Sequence, residues 1–161
     1  MSHDALRAAD RGHVADVTGR ARAFEEISAE LRVMGRRFKA LMSERAAEVH
    51  PQLQPASYYL LTFLIESGPT RGSTLACQFG IDKGAISRQV QHLEDLGLVE
   101  RAADPEDGRA HLISATDEAH RRQEAASKKQ ARRWRRQLEG WSDAELTSFA
   151  AQLGRFNSDL T

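Results

Sequence analysis

Apolar positions along the chain fall into a few periodic stretches separated by turn-forming residues. Between Arg22 and Val49, Phe24, Ile27, Leu31, Met34, Phe38 and Leu41 recur three and four residues apart. That spacing predicts a helix with a narrow a/d seam, suited either to the core of one domain or to helix pairing between copies. Pro51 stops it, and Pro55 sits where the first turn of a second helix needs no N–H. The run Tyr58–Ile65, YYLLTFLI, is apolar almost all round and is expected to be buried, ending at Gly68-Pro69. A short third helix is predicted over Thr70–Phe79, capped by Ser73 or Thr74, with Leu75, Ala76 and Phe79 inward. Gly80 breaks it. Asp82 then opens a fourth helix in which Ile86, Val90, Leu93 and Leu96 form one stripe, and Gly97 closes it.

Two short helices joined by a tight glycine-bearing turn make a helix-turn-helix. Leu98–Ala102 and Ala110–Ala115 read as strands around the turn-rich loop Asp104-Pro105-Glu106-Asp107-Gly108, so a β-hairpin wing follows the second helix. A long polar helix is predicted over Thr116–Glu139. Ser142-Asp143-Ala144-Glu145 forms a capping box, with Trp141 and Leu146 spaced as its staple, and opens a last helix striped with Leu146, Phe149, Leu153, Phe156 and Leu160. The expected fold is mainly α with a small β-wing. Residues 1–20 read as a flexible arm or weak helical extension, and 51–116 as the winged helix-turn-helix. Residues 21–50 and 117–161 read as a helical dimerisation region, because neither terminal seam is needed by the small core between them.

The stripe on the fourth helix leaves Gly84, Ser87, Arg88 and Gln91 on its other side, as 3.6 residues per turn requires, and Lys83 is counted with that face. Small or donor-bearing groups of this kind suit a surface that reads base edges in a major groove. The rival reading, a winged helix that binds protein, calls for an acidic or apolar face, and here Asp95 is the only acid nearby. Arg109 ends the hairpin loop, where an arginine can reach a narrow minor groove; the plainer alternative is a loop arginine paired with Asp107. Tyr58 and Tyr59 can line a ligand pocket with a phenol at its rim or serve as ordinary core residues.

Charge changes the picture only locally. The 161 residues hold 23 Lys+Arg against 23 Asp+Glu, so net charge does not point to nucleic acid. Eight of the cations lie between Arg121 and Arg136, a run whose plain reading is a solvated face. The single cysteine, Cys77, excludes an internal disulfide framework and fits a reducing cytosol. No apolar run approaches the roughly 20 residues that span a bilayer, and the first residues lack the apolar core of a signal peptide. A cytoplasmic protein with no membrane partner is expected. The six histidines show no metal-ligand spacing, and no phosphate loop or nucleophile motif appears, so neither enzyme chemistry nor a metal or other cofactor is expected.

Taken together, Leu75-Ala76, Asp82–Arg88 (DKGAISR), Leu93–Arg101 (LEDLGLVER) and Asp104–Arg109 (DPEDGR), with Trp141-Ser142 ahead of the last helix, resemble the multiple antibiotic resistance regulator (MarR) family of bacterial transcription factors. The resemblance runs from about Phe24 to Leu160. It implies a homodimeric regulator, here taken as a repressor, that binds double-stranded DNA at a pseudo-palindromic operator and is released by a small aromatic or phenolic effector. It places Arg109 in the minor groove, makes Asp107 its holder, and makes Arg88 the recognition arginine. Gly84 and Gly108 depart from the family pattern, which usually has side chains at those positions. Some members sense oxidants through a cysteine, so a redox role for Cys77 is the remaining alternative.

Overall fold

The computed structural model describes residues 3–108 and 110–160. In order it contains α1 (His3–Val49), α2 (Pro55–Ser67), β1 (Thr70–Arg71), α3 (Gly72–Phe79), α4 (Lys83–Asp95), β2 (Val99–Ala103), β3 (His111–Ala115), α5 (Asp117–Gln137) and α6 (Asp143–Asp159). Mostly helical, with one small antiparallel sheet, it has the expected fold class. The chain divides into two compact units, Met1–Ala46 and Ala47–Thr161.

The first unit is helical. α1 starts well before the Arg22 that apolar spacing pointed to, because spacing registers only the striped part. The preceding stretch is rich in alanine and arginine, both strong helix formers. Along its striped part Phe24, Ile27, Leu31, Met34 and Phe38 are all exposed, Phe24 at 57 %. The seam therefore has no cover within its own unit among the described residues.

The second unit holds the core. Leu60, Leu61 and Leu64 from α2 are buried, together with Leu75 from α3 and Ile86, Val90 and Leu93 from α4. The hairpin adds Val99 and Ile113, and α5 adds Ala119 and Ala126. Each large side chain so buried contributes about 1.5–3 kcal/mol, and the set glues the helix-turn-helix to the sheet. Of the apolar run in α2, Tyr58 is buried as expected while Tyr59 is 41 % exposed, because the two point to different sides of one helix.

Several boundaries correct the sequence reading. Thr70 and Arg71 are strand, not helix. They pair with Ile113 and Leu112 and give a three-stranded sheet in the order β1-β3-β2. A two-residue strand carries no periodicity, so only its partner reveals it. As a result α3 begins at Gly72 with Arg71 as N-cap, and neither Ser73 nor Thr74 caps it. The first hairpin strand lies one residue later at both ends and the second starts one residue later, with Val99 opposite Ala115 and Ala103 opposite His111.

The expected punctuation elsewhere is present. Gly80 and Gly97 adopt left-handed φ of 63° and 68°. At Gly97 the Leu98 amide donates to the Leu93 carbonyl and the Gly97 amide to Glu94, a Schellman ending that turns the chain straight into β2. Thr116 caps α5 by accepting from the Ala119 amide. Ser142 and Glu145 cap α6 reciprocally. None of the described helices is long and apolar enough to cross a membrane.

Candidate nucleic-acid interface

α4 is positioned from both ends. The Asp82 carboxylate accepts from the Ala85 amide at 2.8 Å and starts the helix in place. Ile86, Val90 and Leu93 then anchor one stripe in the core. Lys83, Gly84, Ser87, Arg88 and Gln91 are all exposed, as the spacing predicted.

Those five residues do not form one equivalent surface. At 100° per residue, Gly84, Arg88 and Gln91 stand opposite the buried stripe, whereas Lys83 and Ser87 lie on the flank toward the hairpin. Gln91 Nε2 donates to Asp95 Oδ1 at 3.0 Å, so the one acid on this face is engaged by an amide. A Cβ on Gly84 would stand 3.0 Å from Asp82 Oδ1 and 3.5 Å from Arg88 Nη1. Glycine at this position thus leaves room for the cap, whereas the arginine would be in ordinary contact with a Cβ. On the other flank, His92 Nε2 lies 3.1 Å from the Gln52 carbonyl oxygen and ties α4 to the α1–α2 connection.

The wing is held by carboxylates that sequence reading did not single out. Asp104 is almost fully buried. Its Oδ1 accepts from the Glu106 amide at 2.9 Å and its Oδ2 from Arg71 Nε at 2.6 Å. The Glu106 amide above all, with Arg71 assisting against desolvation, holds the Asp104 carboxyl below its ordinary value. The loop closes through the Asp104 amide donating to the Ala110 carbonyl and the Ala110 amide to that of Asp107. Arg71 ends β1 and is the N-cap residue of α3, so this one contact, 33 residues long in sequence, fastens the wing loop to the helix-turn-helix. Midway along the hairpin Arg101 pairs with Glu94 of α4 at 3.1 Å. Asp107 is exposed, and Arg109 lies outside the described residues.

Between α4 and the hairpin is a cleft of about 300 Å³, lined by Ser73, Lys83, Ser87, Arg101 and His111 over an apolar floor. The other sequence-stressed residues are elsewhere. Tyr58 is in the core, where its hydroxyl accepts from Gln123 Nε2 at 3.1 Å. Tyr59 faces outward, its ring centroid 6.4 Å from that of Tyr58. Cys77 is exposed on α3. The basic run of α5 is partly paired: within the helix Glu118 pairs with Arg121 and Arg122 and Glu124 with Lys128, and Glu48 near the end of α1 pairs with Lys129. Among the described residues no group of three His, Cys, Asp or Glu could hold a metal ion.

A sequence model of the MarR family matches residues 52–110, which is α2 through the wing loop. Over 119 residues the chain is 35 % identical to the uncharacterized HTH-type transcriptional regulator YxaD of Bacillus subtilis (strain 168), covering 74 % of this chain and 83 % of that one. The chain belongs to the MarR family. As a MarR-family chain it is a transcriptional regulator and not an enzyme. A second relative, the uncharacterized HTH-type transcriptional regulator YdgJ of the same organism, is 31 % identical over 63 % of this chain and 62 % of its own. The MarR fold is also seen in solved structures. The crystal structure of RV1404 from Mycobacterium tuberculosis superposes with a TM-score of 0.75 at 22 % identity, over 83 % of this chain and 92 % of that one. Apo wild-type MarR from E. coli gives 0.64 at 19 %, over 80 % and 94 %.

Proposed function

We propose that this MarR-family regulator is a homodimeric repressor that binds a pseudo-palindromic operator and is released by a small aromatic or phenolic effector. The observation that carries the DNA reading is the outward face of α4. Gly84, Arg88 and Gln91 present a close-approaching backbone, a guanidinium and an amide beside an anchored wing. Arginine and glutamine are the residues that pair bidentately with guanine and adenine edges in the major groove. On this reading Arg88 reads bases. Asp107 and Arg109 belong to the wing tip that enters the minor groove. The protein works in the cytoplasm, where the DNA is.

Two exposed apolar stripes support the dimer. One runs from Phe24 to Phe38 on α1, and the other includes Phe149, Leu153 and Leu160 at α6 and its end. Large contiguous apolar surface of this kind marks an interaction site. A two-fold pair of α4 helices then meets half-sites about one helical turn apart. Tyr59, an exposed aromatic beside the buried phenol of Tyr58, is the side chain offered to an effector.

The test is selection of bound duplexes from a random pool at roughly physiological salt. A recovered pseudo-palindrome with half-sites about one turn apart is the expected result. Arg88→Ala then loses about 1–3 kcal/mol of affinity and relaxes choice at one position. Failure of a folded, ligand-free protein to enrich any sequence rejects the reading. A monomer by light scattering rejects the dimer.

A further inference from the structure

We propose that Asp95 is a positioning residue for base choice: it turns the Gln91 amide so that the amide accepts adenine and rejects guanine. The inference rests on the DNA reading above and goes beyond it, to which base one outward side chain selects and what makes it select. Gln91 Nε2 donates to Asp95 Oδ1 at 3.0 Å. The two side chains are one turn apart on α4 and both are exposed. A carboxylate offers acceptors only, so the nitrogen end of the amide has to face it. Turned over, the amide would lose this bond and set Oε1 against a carboxylate oxygen.

That orientation decides what is left to read with. The amide has two N–H donors and one carbonyl oxygen. Asp95 takes one donor and leaves one N–H and Oε1. Adenine shows one acceptor, N7, and one donor, N6, in the major groove, which is the complement of that remainder. Guanine shows two acceptors, N7 and O6, and only one N–H is left for them. Without Asp95 the amide is free to aim both N–H groups at guanine. Asp95 also stands where local electrostatics disfavours a carboxylate. It is the last residue of α4, the end at which the helix dipole favours cations. At 100° per residue it shares the outward side of the helix with Gly84, Arg88 and Gln91, the side offered to an anionic duplex. Residues that break a local rule concentrate at functional positions, and the amide it holds explains this one.

The experiment measures affinity for the selected operator and for duplexes carrying each other base at each half-site position. The proteins are the full chain, Gln91→Ala, Asp95→Asn, Asp95→Ala and the double variant Gln91→Ala with Asp95→Ala. Wild type is expected to prefer adenine over guanine at one position, and Gln91→Ala to abolish that preference alone. Asp95→Asn removes the charge but offers an amide oxygen in place of the carboxylate, and it retains the preference. Asp95→Ala removes charge and acceptor together and cuts the adenine-to-guanine ratio by roughly three- to tenfold. The double variant chooses no worse than Gln91→Ala. A wild-type ratio in Asp95→Ala overturns the proposal. An equal fall in Asp95→Asn and Asp95→Ala also overturns it, since charge and not the hydrogen bond would be the cause. So does an effect of Asp95→Ala on base choice that persists when Gln91 is already alanine, which makes Asp95 a base contact in its own right. If wild type selects an operator but no position responds to Gln91→Ala, this proposal fails and the DNA reading stands. Absence of wild-type binding to any duplex removes both.

Discussion

Gly84 and Asp82 compete for one small volume at the start of α4, and the competition predicts that the effect of substituting one depends on the other. Alanine in place of glycine stabilises a helix interior by about 1 kcal/mol. Here the new Cβ would stand 3.0 Å from Asp82 Oδ1, tighter than ordinary contact. That oxygen is the one accepting from the Ala85 amide at 2.8 Å. To make room the carboxylate has to give by a few tenths of an ångström at the expense of its bond to the amide, and full loss of an N-cap, the upper bound, costs about 1 kcal/mol. At that bound the two effects nearly cancel, and Gly84→Ala alone leaves stability within roughly 0.5 kcal/mol of wild type. In an Asp82→Ala background the cap is already gone and nothing remains to displace. There the same substitution stabilises by about 1 kcal/mol. The assay is urea unfolding of the four proteins of this cycle at one fixed protein concentration, with a coupling energy of up to about 1 kcal/mol expected. Equal gains from Gly84→Ala in both backgrounds would refute the argument, since they would mean that the cap and the glycine do not share space.

The other predictions concern the hairpin. Gly97→Ala meets no atom within 4 Å but retains a φ of 68°, so it costs about 1–2 kcal/mol from backbone strain alone, read as a lower Tm with an unchanged fold by circular dichroism. Asp104 is bound in the folded state by the Glu106 amide and Arg71, and its carboxyl lies below the ordinary value. Its contribution is therefore fully present above the ordinary carboxylate range and is lost as pH falls through the lowered folded value. Asp104→Asn should accordingly lose stability near neutral pH and show a shallower acid limb in unfolding curves below about pH 4. A parallel acid limb in the variant would show that Asp104 is not the group that titrates.

The sequence by itself determined the local and periodic features. The α4 stripe of Ile86, Val90 and Leu93 was legible because helical burial repeats every 3.6 residues. Asp82, Gly80, Gly97 and the Ser142–Glu145 box were legible because caps depend on neighbours within a few residues. The outward set from Lys83 to Gln91 followed from the same arithmetic. The MarR resemblance rested on those short patterns in combination.

Tertiary structure decided whatever joins distant segments. β1 is two residues long, and it exists only because Thr70 and Arg71 meet Ile113 and Leu112. Arg71 and Asp104 are 33 positions apart, and nothing in either residue's neighbourhood names the other. Sequence attention therefore went to Asp107, nearer the arginine, while the buried carboxylate that fastens the loop is Asp104. Tyr58 and Tyr59 read alike as neighbours in an apolar run, and only the packing of α2 separates a buried phenol from an exposed one. The division of α4 into an outward face and a hairpin-side flank likewise needed β2 and β3 in place. Periodicity says which side of a helix is buried, but a second element must be positioned before the remaining sides differ from one another.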